Sequence, residues 1–196
     1  MTSKLRALGH AREGNAVADV GHAGDELNQP LEAQPEARVR DGAESSQIDV
    51  PPIRRRIELA FLTNSVELRP CHNDLLNANF IDDGTRIRIV DWEYAGMGDP
   101  FFDLGNFSIN HELTPDEDTE LLAAYDGGAV RSARLARLTL MRTDSDFREA
   151  MWGVLQQGIS SLDVDFVAYA GEHFERLLAG AASPSFERAL REVAGD

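Results

Sequence analysis

The sequence predicts an α+β fold, mainly α, with one small β-hairpin set among helices. Three observations lead there. Beyond residue 100, apolar residues recur at three- and four-residue steps between clear helix starts and stops. On either side of Asp82-Asp83-Gly84 the chain reads as two short strands, with Ile87 and Ile89 alternating on the second. Residues 1–50 show neither period.

Those first 50 residues contain no aromatic side chain and few large aliphatics. Such a stretch buries too little apolar surface to offset its ordering entropy, and disorder is expected, with short helical pieces at most around Asp25–Ala37. His10 and His22 have no cysteine or carboxylate at zinc-site spacing and read as solvated. The folded part is expected over 51–196, enough for one domain with a real core.

Pro51-Pro52 closes the loose segment. Ile53, Ile57, Ala60 and Phe61 then mark an amphipathic helix whose other face carries Arg54–Arg56, read as solvated. Asp99-Pro100 is an N-cap followed by proline at the first helical position. Thr114-Pro115-Asp116-Glu117 is a capping box opening a helix to about Tyr125, and Gly127-Gly128 ends it. Leu135, Leu138, Met141, Phe147, Met151, Val154 and Leu155 mark longer helices. Phe166, Tyr169, Ala170, His173, Phe174 and Leu177 mark another, and Ser183-Pro184 starts a last short one. His111 and His173 fall on apolar faces and read as structural.

The formal charge of −15 argues against nucleic acid and against anionic membrane surfaces as partners. No apolar run reaches the ~18 residues of a membrane span, and no secretory leader is expected. The lone cysteine, Cys71, excludes an internal disulfide and fits a cytoplasmic protein. Its neighbour His72 does not make it a nucleophile, because adjacent residues in an extended chain point to opposite faces. Cys71 is expected to be buried and inert.

The chemistry concentrates between Cys71 and Asp103. His72, Asp74 and Asn79 have the spacing H-x-D-x-x-x-x-N, and the strand through Ile89 delivers Asp91 at its end. Asp74, Asn79 and Asp91 are oxygen ligands or bases of the kind that Mg²⁺ and phosphate require. Asp82 and Asp83 belong to the hairpin turn.

This ordered set resembles the catalytic half of the protein-kinase-like phosphotransferases. Cys71-His72-Asn73-Asp74-Leu75, Asp91-Trp92-Glu93-Tyr94 and Phe102-Asp103-Leu104-Gly105-Asn106 are similar to choline/ethanolamine kinases, as is the segment from Trp152 to Phe174. The aminoglycoside phosphotransferases are the neighbouring family. The resemblance covers residues 52–180 and implies a kinase-like C-terminal lobe. It implies Asp74 as the base that receives or orients the substrate hydroxyl. His72 would hold the loop, and Asp103 would steady it from the following helix. Asn79 and Asp91 would bind Mg²⁺ on the phosphates of ATP, and Glu93 would reach a second metal or its water. Trp152 would face a small cationic alcohol such as choline or ethanolamine. Glu149 stands where the family often has a second aromatic residue, and it or Asp146 would add negative charge.

The same resemblance implies a nucleotide-gripping lobe ahead of the loop, with a glycine-rich turn and an anchoring lysine. Gly21-His22-Ala23-Gly24 lacks that pattern, and Lys4 is the only lysine. The expectation is a chain shortened at its start by truncation, a wrong start or a frame change, with the N-lobe lost or supplied by another chain. Little activity is expected from this chain alone. The alternatives are an aminoglycoside-type phosphotransferase and a non-catalytic remnant that binds a small amine or a partner protein.

Overall fold

The computed structural model describes residues 50–195. The expectations for disorder in 1–50, helical pieces at 25–37, His10, His22 and Lys4 therefore lie outside the described residues, apart from Val50 itself.

Helix α1 (Val50–Thr63) carries Pro51 and Pro52 in its first turn, where a backbone N–H has no helical partner to lose. Its Ile57 and Ala60 are buried against Ala136, Leu140, Phe186, Ala189 and Val193. The arginine face points outward. Arg56 donates to both carboxylate oxygens of Glu187, at 2.7 and 2.6 Å, and Arg54 pairs with Glu58 at 3.5 Å.

Four strands of three residues follow: β1 (Arg69–Cys71), β2 (Phe80–Asp82), β3 (Ile87–Ile89) and β4 (Gly96–Gly98). The expected hairpin is β2–β3, with Phe80 opposite Ile89 and Asp82 opposite Ile87. Its turn has Gly84 at φ +82°, and Asp83 Oδ1 accepts from Thr85 N and Arg86 N at 3.0 Å each. The Thr85 hydroxyl, which donates to the same oxygen at 2.5 Å, and then these two N–H bonds hold the Asp83 carboxyl below its ordinary range. The single expected hairpin is corrected in one respect. A second antiparallel ladder joins β1 to β4, with Cys71 opposite Gly96 and Arg69 opposite Gly98. Its strands are 24 residues apart and one contains two glycines, so no local pattern announces it.

Helix α2 (Pro100–Asn110) is capped by Asp99, whose Oδ1 accepts from Phe101 N at 2.9 Å. Arg137 holds the other Asp99 oxygen and anchors the cap to the helical body. Helix α3 (Pro115–Asp126) opens with the Thr114–Glu117 capping box and closes on left-handed Gly127. Helix α4 (Ser132–Ile159) is one continuous helix of 28 residues, collecting the apolar markers from Leu135 to Leu155. Helices α5 (Phe166–Ala181) and α6 (Pro184–Ala194) pack on it and complete the body.

The cores are the α1–α4–α6 cluster around Phe186 and the α2–α3–α4 cluster of Phe101, Leu104, Leu122, Leu138 and Met141. Helix α2 lies unusually close to α4. A methyl group on Gly105 would stand 2.7 Å from the Met141 carbonyl carbon, so only glycine fits there. That contact sets the height of α2, and α2 carries the site.

Candidate active site

Helix α2 presents Asp103 and Asn106 one turn apart to the loop that follows β1. Asp103 Oδ2 accepts from His72 N, and its Oδ1 from Asn73 N, both at 2.7 Å. Asn106 Oδ1 accepts from Leu75 N at 2.6 Å. Three backbone N–H groups of one loop thus hang from two side chains of one helix, and bonds to a carboxylate are the stronger kind. The loop needs this support, because Asn73 is held in the left-handed region at φ 65°. Asparagine tolerates that conformation better than most residues, and its Nδ2 donates to Tyr94 O at 2.9 Å.

His72 is buried and ties the loop to the end of the hairpin. Its Nε2 donates to Val90 O at 2.8 Å, which leaves Nδ1 buried and without a partner. The Trp92 ring packs on the imidazole at 4.6 Å. His72 therefore touches main chain and aromatic surface and has no bond to Asp74. Cys71 is 1% exposed, and burial followed by the Asp103 charge pushes its thiol up to about 11, so it is not a nucleophile.

Asp74 sits beside Asn79. The Asn79 Nδ2 donates to Asp74 O at 2.9 Å and lies 3.4 Å from Asp74 Oδ2. Asn79 closes a short 3₁₀ turn over Asn77–Asn79, and its carbonyl accepts from Val90 N at 3.0 Å. Asp91 follows Val90, exposed, at φ 64°. The committed nitrogen of Asn79 leaves its amide oxygen as a hard donor, and the Asp91 carboxylate beyond the hairpin is another. Donors of this type suit Mg²⁺, which takes one or two protein ligands and completes its shell with phosphate and water. Glu93 is exposed. Among the described residues no three His, Cys, Asp or Glu side chains form a metal-binding group.

The expected substrate residues lie on α4. Trp152 is half-buried, edge-on to Phe166 and Tyr169 at 5.7 and 5.5 Å between ring centres. Glu149 is buried and fully engaged. Its Oε1 accepts from Asn106 Nδ2 and Arg148 Nη1, both at 3.1 Å, and its Oε2 accepts from the Tyr169 hydroxyl at 2.8 Å. Burial and then the Glu149 charge push the Tyr169 hydroxyl far above its ordinary range, so it remains a donor. Asp146 is occupied elsewhere: its Oδ1 lies 3.0 Å from His173 Nδ1 and accepts from Arg176 Nε at 3.0 Å. His111 is buried with neither ring nitrogen partnered, stacked on Phe107 at 4.0 Å.

Three residues to which the sequence reading gave no role in the site complete it. Asn106 joins the loop to Glu149, Tyr169 closes on Glu149 from α5, and Arg148 bridges Glu149 and Asp74. Arg148 Nη1 lies 3.4 Å from Asp74 Oδ1. The signal for Arg148 was its position four residues before Trp152 on one helical face. A cavity of about 270 Å³ lined by Asn64, Phe101, Arg134 and Arg137 lies elsewhere and touches none of these residues.

A short two-ladder platform on a helical body, with a histidine–aspartate–asparagine loop hung from helix α2, is the C-terminal lobe of a kinase-like phosphotransferase. The model of the phosphotransferase enzyme family (APH) matches residues 7–138, and the chain belongs to that family. Human ethanolamine kinase 2 is 33% identical over 126 residues, covering 54% of this chain and 33% of that protein. The crystal structure of a choline/ethanolamine kinase family protein from Mesorhizobium loti superposes with a TM-score of 0.73 at 35% identity, covering 79% of this chain and 53% of that one. The structure of LicA in complex with AMP superposes at 0.55 with 26% identity, over 72% of this chain and 49% of that one. The chain thus spans about a third of its human relative and about half of each of these structures.

Proposed function

We propose that this chain carries the catalytic face of a choline/ethanolamine-type kinase, which moves the γ-phosphate of ATP to the hydroxyl of a small cationic alcohol. The observation that carries the reading is the suspension of the 72–75 backbone from Asp103 and Asn106, which holds Asp74 against Asn79. Phosphoryl transfer depends on positioning and electrostatics, so a base held this way is the part a protein must supply. Asp74 takes the hydroxyl proton of the alcohol. His72 and Asp103 are positioning residues that act through the loop. Asn79 and Asp91 would hold Mg²⁺, whose chemistry there is to neutralise charge on the nucleotide phosphates, and Glu93 would act on the water around it. Trp152 offers a ring face to the ammonium group, and Glu149 supplies negative charge behind it. Ethanolamine or choline is the first choice and an aminoglycoside the second. The setting is the cytoplasm, where ATP is available.

A second reading, a chain that binds a small amine or a partner protein without turnover, is favoured by one feature. Lys4 is the only lysine, so these residues offer no evident anchor for the nucleotide phosphates. The two readings separate in one assay. ADP release is measured with ethanolamine, choline and a neutral diol, for this chain alone and for this chain fused behind a nucleotide-binding lobe from a related kinase. The kinase reading expects slow turnover alone, faster turnover with the fusion, preference for the cationic alcohols, and loss of about 10²–10⁴-fold on Asp74→Ala. Fusion protein with no amine-dependent ADP release leaves only the binding reading.

A further inference from the structure

Arg148 occupies surroundings that suit a ligand. Its Nη1 donates to Glu149 Oε1 at 3.1 Å and to Asp74 Oδ1 at 3.4 Å. Its guanidinium carbon lies 5.4 Å from the Tyr94 ring centre and 5.9 Å from that of Phe102. Two carboxylates and two aromatic rings around one positive charge are what a small ammonium ion needs for recognition. Here the protein fills that place with its own side chain.

We infer that Arg148 is a built-in stand-in for the ammonium group of the substrate, a specificity-determining residue that an incoming cation displaces from Asp74 and Glu149. The inference rests on the amine-kinase reading above and says how that site chooses its substrate.

Three features support displacement. Arg148 is loosely held: its side chain is 28% exposed and its bond to Asp74 is long. Arg137, by contrast, is 6% exposed and locked to Asp99 and to the Asn64 carbonyl. Glu149 does not depend on Arg148, because Asn106 and the Tyr169 hydroxyl stay bonded to it when the guanidinium leaves. The charges also favour exchange. Asp74 and Glu149 carry −2 against the +1 of Arg148, so the site keeps a net −1 that attracts a second cation. Arg148 meanwhile occupies an oxygen of Asp74, so the proposed base is freed only when a cation arrives.

Selectivity follows. A ligand must replace the hydrogen bonds that the guanidinium gives up. A primary ammonium group can donate to Glu149 and Asp74, whereas a quaternary one offers only its charge to the rings. Arg148 therefore tilts the site toward primary amines.

The test is calorimetric titration of the 196-residue chain with tetramethylammonium chloride, ethanolammonium chloride and sodium acetate. A site open about a tenth of the time binds about tenfold more weakly than the open site does. Arg148→Met should therefore bind tetramethylammonium about tenfold more tightly than the parent, with a smaller gain for ethanolammonium. Arg148→Lys, which keeps a cation on a flexible stem, should stay near the parent. Circular dichroism confirms folding, and Arg148→Gln serves in place of a poorly folded Met variant. If the parent and the neutral variants bind tetramethylammonium equally, the stand-in role is overturned while the amine reading survives. If the parent binds acetate and the neutral variants lose it, Arg148 is an anion receptor and the inference is wrong. Binding of neither cation to any variant overturns both the inference and the amine reading beneath it.

Discussion

Between Cys71 and Gly98 the chain has four strands of three residues each, and many of its large apolar side chains are exposed, among them Ile81, Ile87, Ile89, Trp92, Tyr94 and Met97. From Pro100 to Ala194 it is helical, with Phe101, Leu122, Leu138, Leu140, Leu177 and Phe186 fully buried. The helical body is held by packing spread over many contacts. The platform is held by a few directional bonds from Asp103, Asn106 and His72. Spread packing tolerates the loss of one contact, whereas four bonds do not. The geometry of the proposed base therefore hangs on two side chains of α2, and the stability of the domain does not.

The sharpest way to break that division is to attack the point where body and platform are joined. Gly105→Ala puts a methyl group 2.7 Å from the Met141 backbone, where no side chain can rotate aside. Helix α2 must lift from α4, carrying Asp103 and Asn106 with it. A destabilisation of about 3 kcal/mol is expected, at the upper end for overpacking. Denaturant melts should show it, and the amide signals of residues 72–75 should shift although the substitution lies in the body. A neutral result would mean that α2 and α4 are not pressed together.

The next effect is pH-dependent and belongs to the body. His111 is buried, and burial lowers its pKa to about 4 from an ordinary value near 6.5. The folded state keeps the ring neutral while the unfolded chain accepts a proton. His111 therefore favours the folded state above about pH 6.5, and that contribution is lost as pH falls from there toward 4. The loss approaches about 2–3 kcal/mol at the low end. His111→Phe preserves the stack on Phe107 and should flatten this part of the stability curve, with parent and variant compared at each pH. Parallel curves would show that His111 is not buried in its neutral form.

The smallest effect on stability should come from the platform itself. Asp103→Ala strips the His72 and Asn73 N–H groups of their acceptor. Part of that loss is recovered from water because the loop is only partly buried, so about 2 kcal/mol is expected. Hydrogen exchange at His72 and Asn73 should nevertheless accelerate far more than exchange in α4. Uniform acceleration throughout the domain would erase the distinction between platform and body.

Much of the body was legible in the sequence because helix signals are local. Proline at the first turn, the Thr114–Glu117 box and the Asp99 cap each lie within four residues of what they organise. The hairpin was legible for the same reason, since its turn bonds run from Asp82 and Asp83 to residues at most three away. The β1–β4 ladder was not, because its pairing spans a loop whose closure leaves no mark on either strand. Arg148 looked like one more charged position on a long helix. The sequence placed Glu149 only as a negative charge near the substrate, and its bonds to residues from α2, α4 and α5 left no mark there.

The sequence by itself determined which residue types stand in which order: the loop aspartate and asparagine, the strand-end aspartate, and the helix that follows with Asp103 and Asn106. These are properties of spacing along one chain, and short-range periodicity and turn chemistry reveal them. Only the tertiary structure decided what those residues touch. The two oxygens of Asp103 divide between His72 and Asn73, Asn106 connects Leu75 to Glu149, and Arg148 lies between Glu149 and Asp74. These contacts join residues 30 to 74 positions apart, apart from the adjacent pair Arg148 and Glu149. They exist because Gly105 lets α2 settle against α4, and no pattern within a single helix or strand encodes how close two helices come.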